Sequence, residues 1–152
     1  LNFGWKGLRL GLLFQGVGKT DGYLNTYYVM PSNQGGTFRK EHLDWASAEN
    51  PNGKTPRLTS ANKNNWYDSS FWMKSAAYLR LKNIQLGVTL PKKWTETVFI
   101  SNLRFYVAAE NLLTLTGYKG MEPEIYSGTQ SGIDRGFYPQ NRTITVGANV
   151  TF

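Results

Sequence analysis

Few groups in this chain could do covalent chemistry, and their spacing argues against it. GVGKT at residues 16–20 carries the Gly-Lys-Thr of a phosphate-binding P-loop. That motif also needs a glycine where Leu13 stands, and a helix afterwards where none is patterned. His42 is the one histidine, beside Glu41 and near Asp44. A metal site or a catalytic triad needs partners that the spacing does not supply, so a polar loop surface is its expected setting. Glu122 and Glu124 flank Pro123. Two carboxylates can hydrolyse a glycosidic bond, but near-neighbours on one loop cannot bracket it from both sides, and both are expected to be solvated. With no cysteine there is no disulfide or thiolate site. The expectation is no catalytic residue, no metal and no cofactor.

Binding is another matter. Tyr27, Tyr28, Trp45, Trp66, Tyr67 and Trp72 lie in or beside a long connection rich in Gly, Asn, Ser, Thr and Pro. Sugars present apolar faces on which Tyr and Trp can stack while neighbouring polar side chains bond the hydroxyls. For any single one of these aromatics, packing the connection on itself or contacting a partner is the first expectation.

The elements that hold these residues are strands. LNFGW puts Leu1, Phe3 and Trp5 on one face, and Lys6-Gly7 then marks a tight turn. In LRLGLLFQGV, Leu8, Leu10, Leu12 and Phe14 share a face. A connection of about fifty residues follows, to about residue 70, longer than a compact soluble domain usually tolerates. Helical character in EHLDWASAEN predicts short helical turns around residues 39–48. AAYLRLKNIQLGVTL at residues 76–90 changes phase midway: Ile84, Leu86, Val88 and Leu90 share one face, Leu79 and Leu81 lie on the other. Either a β-bulge near Asn83 restores the phase, or the upper half of the strand leaves the apolar zone. Residues 91–101 form a modest turn containing Trp94. NLRFYVAAENLL sets Leu103, Phe105, Val107 and Ala109 against Arg104, Tyr106, Ala108 and Glu110. A second polar connection at 114–140 leads to RTITVGANVTF, where Ile144, Val146, Ala148, Val150 and Phe152 alternate with small or polar residues.

Five antiparallel strands with short turns at one end and long loops at the other form the pattern of an outer-membrane β-barrel. Four of the five runs reach the roughly 9–11 residues that a tilted spanning strand needs. Arg9, Gln15, Arg104, Glu110 and Asn149 stand on the face opposite the apolar stripes and suit a wet lumen. Phe3, Trp5, Trp94, Tyr106 and Phe152 lie near strand ends, where aromatic girdles sit. The expected lipid face is Ile84, Leu86, Phe105, Val107, Ile144, Val146 and Val150. Five strands cannot close such a barrel, whose smallest bacterial form has about eight, and unpaired edges are not viable in hydrocarbon. The chain, starting in mid-pattern at Leu1 with no signal peptide, is therefore expected to be part of a larger barrel. Its net charge of +7 does not alter this. The excess is concentrated in residues 71–100 and forms no continuous basic groove, so nucleic acid is not an expected partner.

YLRLKNIQLGVTLPKKW (78–94), LRFYVAAENLLTLTGYKGMEPE (103–124) and YPQNRTITVGANVTF (138–152) resemble the C-terminal end of the SusC/RagA family of TonB-dependent outer-membrane transporters. FQGVGKTDGY and HLDWASAENPNGKTPRLT resemble that family's last large external loop. Val88 departs from the pattern, which usually has an aromatic there. The resemblance implies a plugged barrel of about 22 strands, of which residues 1–152 would be the last five strands and the last two external loops. It further implies import of oligosaccharides or peptides, a SusD-like surface lipoprotein as lid, and energy from TonB–ExbB–ExbD. The loop aromatics would then face substrate or lid, and Phe152 resembles the signal read by the barrel assembly machinery. The rival reading is a secreted β-sandwich carbohydrate-binding module, built from the same alternation and loop aromatics.

Overall fold

The computed structural model describes residues 1–25, 37–61, 63–125 and 131–152, with backbone alone at 66 and 98. It comprises two compact units. The first contains Leu1–Gly18, Tyr78–Thr116 and Gln140–Phe152, and the second Lys19–Ala77 and Gly117–Pro139.

The first unit is a five-stranded antiparallel sheet. Its strands are β1 (Asn2–Trp5), β2 (Leu8–Val17), β5 (Tyr78–Thr89), β6 (Asn102–Thr116) and β8 (Thr143–Thr151), in the order β1-β2-β5-β6-β8. Lys6 and Gly7 join the first two strands, with φ of 43° and 90°. Two successive positive φ values make the two-residue hairpin turn whose twist matches the flanking strands. A Cβ on Gly7 would also lie 2.7 Å from the Thr89 carbonyl oxygen, so Gly is required there twice over.

Register turns the alternation of each strand into rows across the sheet. Phe3, Leu10, Leu86, Val107 and Val146 form one continuous row, and Trp5, Leu8, Val88, Phe105 and Ala148 the next. Leu12, Ile84, Ala109 and Ile144 form a third. All seven residues expected to face lipid fall on this one face. The opposite face carries Gly4, Arg9, Gly87, Tyr106 and Gly147 in one row and Asn2, Gly11, Gln85, Ala108 and Thr145 in another.

The phase change in β5 is a bulge. Pairing with both neighbours shifts at Lys82, between Leu81 and Asn83. The extra residue returns Leu79 and Leu81 to the apolar face, where they pair with Leu115 and Leu113 of β6. Of the two readings open in the sequence, the strand therefore keeps its apolar stripe to the end. Asn111, opposite the bulge, absorbs the irregularity with φ of 51°.

Tyr106 lies on the polar face, as its alternation with Phe105 and Val107 implies, and so does not join a lipid-facing aromatic girdle. It pairs with Gly147, and its ring lies where a Gly147 side chain would be: a Cβ there would meet the Tyr106 hydroxyl and Cζ at 2.5 Å. The turn between β5 and β6 also holds more structure than a loop, with a short helix α1 (Lys92–Thr95) and a 3₁₀ turn (Glu96–Val98) that ends at Phe99 with φ of 59°.

The second unit has its own small sheet and core. β3 (Asp21–Leu24) lies between β4 (Met73–Ser75), antiparallel, and β7 (Ile133–Asp134), parallel. Leu24, Trp72, Ala76 and Tyr118 form the core, with Tyr23 and Ile125 packed against it. The helical turn expected around 39–48 is a 3₁₀ helix at Lys40–Asp44. The three short strands went unread because two to four residues carry no measurable period, and non-local pairing defines them.

Candidate functional site

Asp134 anchors the second unit. It is 1% exposed and accepts hydrogen bonds from the Tyr118 hydroxyl (2.8 Å) and the Gly136 N–H (2.8 Å). These bonds satisfy a buried carboxylate that would otherwise carry a large desolvation cost. Tyr23, on β3, donates its hydroxyl to Asp68 at 2.7 Å. Burial, then the bond to Asp68 and its charge, push the phenol up from 10.0 to about 12, so it remains a donor at neutral pH.

Two residues expected at a solvated surface are buried. His42 is 6% exposed: its Nδ1 accepts the Arg39 N–H at 2.8 Å, and Phe38 meets its ring edge-on at 6.3 Å. Glu122 is 5% exposed and accepts the Glu124 N–H at 3.0 Å. Both serve as local backbone acceptors, a use that lets a polar side chain enter a small core. Among the described residues, no group of three or more His, Cys, Asp or Glu is placed to hold a metal ion. GVGKT runs off the end of β2 into a bend with no helix behind it, so nothing there could cradle a phosphate.

A cleft of about 310 Å³ opens in this unit. Leu24, Phe71 and Trp72 supply its apolar wall, and Arg39, Glu41, Asp44, Lys54, Lys74 and Lys119 its charges. The Lys74 ammonium stands 4.6 Å from the centre of the Phe71 ring, within cation–π range. Arg39 donates to the Lys119 carbonyl at 3.3 Å and lies 3.6 Å from the Glu41 carboxylate. A wider groove of about 720 Å³ is lined by Phe38, Leu43, Trp45 and Leu58, and shares Arg39 and His42 with the cleft.

The sequence-expected aromatics thus separate. Trp45 lines the wider groove and pairs through its backbone with Thr55. Tyr67 is exposed. Trp72 is 6% exposed in the core, its indole N–H donating to the Asn65 carbonyl at 3.3 Å, with only an edge on the cleft. Trp66 ends the 3₁₀ turn Asn64–Trp66. Tyr27 and Tyr28 lie outside the described residues. The cleft lysines were not picked out in the sequence, because nothing local distinguishes them from other surface lysines.

On the polar face of the sheet, Arg80 is 2% exposed and donates from Nε to Thr114 Oγ1 at 2.9 Å, while Gln15 donates to the Tyr78 hydroxyl at 3.1 Å. The apolar face is bare by contrast: Ile144 is 69% exposed, Val146 76% and Phe3 57%. An apolar surface of this extent is tolerated only against a partner or lipid. No helix among the described residues is long and apolar enough to cross a membrane.

The comparisons with known proteins point to one family. TonB-dependent receptor P3 of Formosa agariphila is 35% identical over 114 residues, 70% of this chain and 11% of that protein. TonB-dependent receptor SusC of Bacteroides thetaiotaomicron is 33% identical over 87 residues, 57% of the chain and 8% of SusC. A structure of the RagAB peptide importer in its open-open state superposes with a TM-score of 0.74 at 27% identity, covering 97% of this chain and 16% of that one. No family model matches. An antiparallel sheet with an apolar face and a polar face, with these homologues, defines part of a TonB-dependent receptor. The chain belongs to the TonB-dependent receptors, in the group of SusC and RagA. It spans between 8% and 16% of the length of the relatives named here.

Proposed function

We propose that the whole protein imports a nutrient, an oligosaccharide or a peptide, across the outer membrane. It would act with a SusD-like lipoprotein as lid and be driven by TonB–ExbB–ExbD. This chain would supply five strands at the C-terminal end of a barrel of about 22 strands. Its second unit would be external and meet substrate or lid. The observation that carries this reading is the apolar row from Phe3 through Leu10, Leu86 and Val107 to Val146. A row continuous across five strands suits lipid, while Arg9, Tyr106 and Asn149 suit an aqueous interior. Deleting the gene in its host and following uptake of labelled oligosaccharides and peptides tests the reading. Loss of one class with the other retained is expected. Unchanged uptake of every probe would refute it.

Two further features of this reading can be checked separately. The Lys6-Gly7 turn and the α1 turn would lie at the periplasmic end, because both long connections leave from the other. A membrane-impermeant thiol reagent on whole cells should therefore label a cysteine at the exposed Asn52 and spare one at Lys92, and the reverse pattern would invert the topology. Phe152, 86% exposed, would be read by the barrel assembly machinery. Its deletion should lower the amount of receptor in the outer membrane severalfold, with uptake per inserted molecule unchanged. A normal amount with lost uptake would place Phe152 in the transport path instead.

A further inference from the structure

We propose that the cleft of the second unit takes a carboxylate-bearing segment of the ligand, held by Lys54, Lys74 and Lys119. The inference rests on the import reading above and narrows its substrate.

The unit as a whole is nearly neutral, with nine basic and eight acidic residues. Its charges are not evenly spread, because four of the cations line this one cleft and only two of the acids do. Those two acids are already engaged. Glu41 faces Arg39 at 3.6 Å, and Asp44 Oδ1 accepts a hydrogen bond from the Asn50 amide at 3.2 Å. Lys54, Lys74 and Lys119 have no carboxylate within ion-pair distance among the described residues.

Three uncompensated ammonium groups around one concave wall raise the local potential and favour an anion over a neutral ligand. The Phe71 ring fixes Lys74, and the Arg39 bond to the Lys119 carbonyl holds the backbone beneath the third lysine. Leu24, Phe71 and Trp72 leave an apolar wall beside the charges. The site therefore fits a ligand that is acidic at one edge and apolar on one face. A uronic-acid sugar and a short acidic peptide both meet that description.

The test uses the full-length receptor in detergent, with calorimetric titration of trigalacturonate, neutral maltotriose, triglutamate and trialanine at low and high salt. One or both acidic probes should bind at least tenfold more tightly than their neutral counterparts at low salt. That preference should shrink as salt screens it. Lys54→Ala/Lys74→Ala/Lys119→Ala should lower acidic-probe affinity about thirtyfold, at roughly threefold per partly exposed contact, and the corresponding triple Lys→Arg variant should retain most of it. Trigalacturonate binding alone assigns an acidic glycan, and triglutamate binding alone an acidic peptide. Equal binding of acidic and neutral probes, no acidic binding, or an unaffected alanine triple would overturn the proposal. If the alanine triple does not insert, the salt dependence of the unaltered receptor decides the matter, and salt-independent binding overturns it. Failure of the import reading would show separately, as unchanged uptake in the gene deletion whatever binds in detergent.

Discussion

Val146→Arg in the full-length receptor is expected to cut its amount in the outer membrane sharply, while Thr145→Arg leaves it near normal. The two residues are adjacent on β8 but point to opposite faces. Val146 continues the row through Val107, Leu86, Leu10 and Phe3, and Thr145 pairs with Ala108 on the polar face. A guanidinium on the lipid face near mid-membrane costs about 2–4 kcal/mol, whereas on a wet interior it remains solvated. Urea-dependent folding into vesicles, followed by the mobility difference between folded and unfolded barrel, reads both variants. Equal effects would mean that the exposed apolar row does not meet hydrocarbon.

Trp72→Ala carries the second large effect, and it falls on the loop unit rather than the membrane. Trp72 is among the largest buried side chains of the core that holds Leu24, Ala76 and Tyr118 together. Truncating a buried tryptophan costs about 3–5 kcal/mol, more than a small core of this kind can absorb. Amide exchange should accelerate in β3, β4 and residues 117–125, with the protection of β5 and β6 unchanged. The same substitution also separates the two roles open to this aromatic. Weakened ligand binding with exchange unaltered would make Trp72 a direct contact, whereas binding lost together with protection would make it a packing residue.

The five strands of the larger sheet were legible because each lies in a run of two-residue periodicity on a surface that must be apolar on one side. The phase change at Asn83 was equally visible, but its meaning depended on register with β2 and β6, which no single strand reveals. The loop unit was far less legible. DGYL, MKS and ID become strands only by non-local pairing, as where Tyr23 meets Ile133, 110 positions further along the chain. His42 and Glu122 looked like surface groups because their acceptor roles toward Arg39 and Glu124 depend on local backbone geometry. Asp134 gave no signal, since the Tyr118 hydroxyl that satisfies it comes from a distant part of the loop. Nor could spacing collect Lys54, Lys74 and Lys119 into one cleft. Lys74 lies on the small sheet and the other two in the segments around it, so their convergence is the part of the candidate site that only structure supplies.

The central claim is that one face of this sheet meets lipid and the other water. Site-directed spin labels along residues 143–151 of the full-length receptor in bilayers test it most directly, by collision with oxygen, which concentrates in hydrocarbon, and with a water-soluble nickel chelate. Labels at Ile144, Val146, Ala148 and Val150 should collide preferentially with oxygen, and those at Thr145, Gly147 and Asn149 with the chelate, giving a strict two-residue period. A flat profile, or equal chelate access on both faces, would contradict the account.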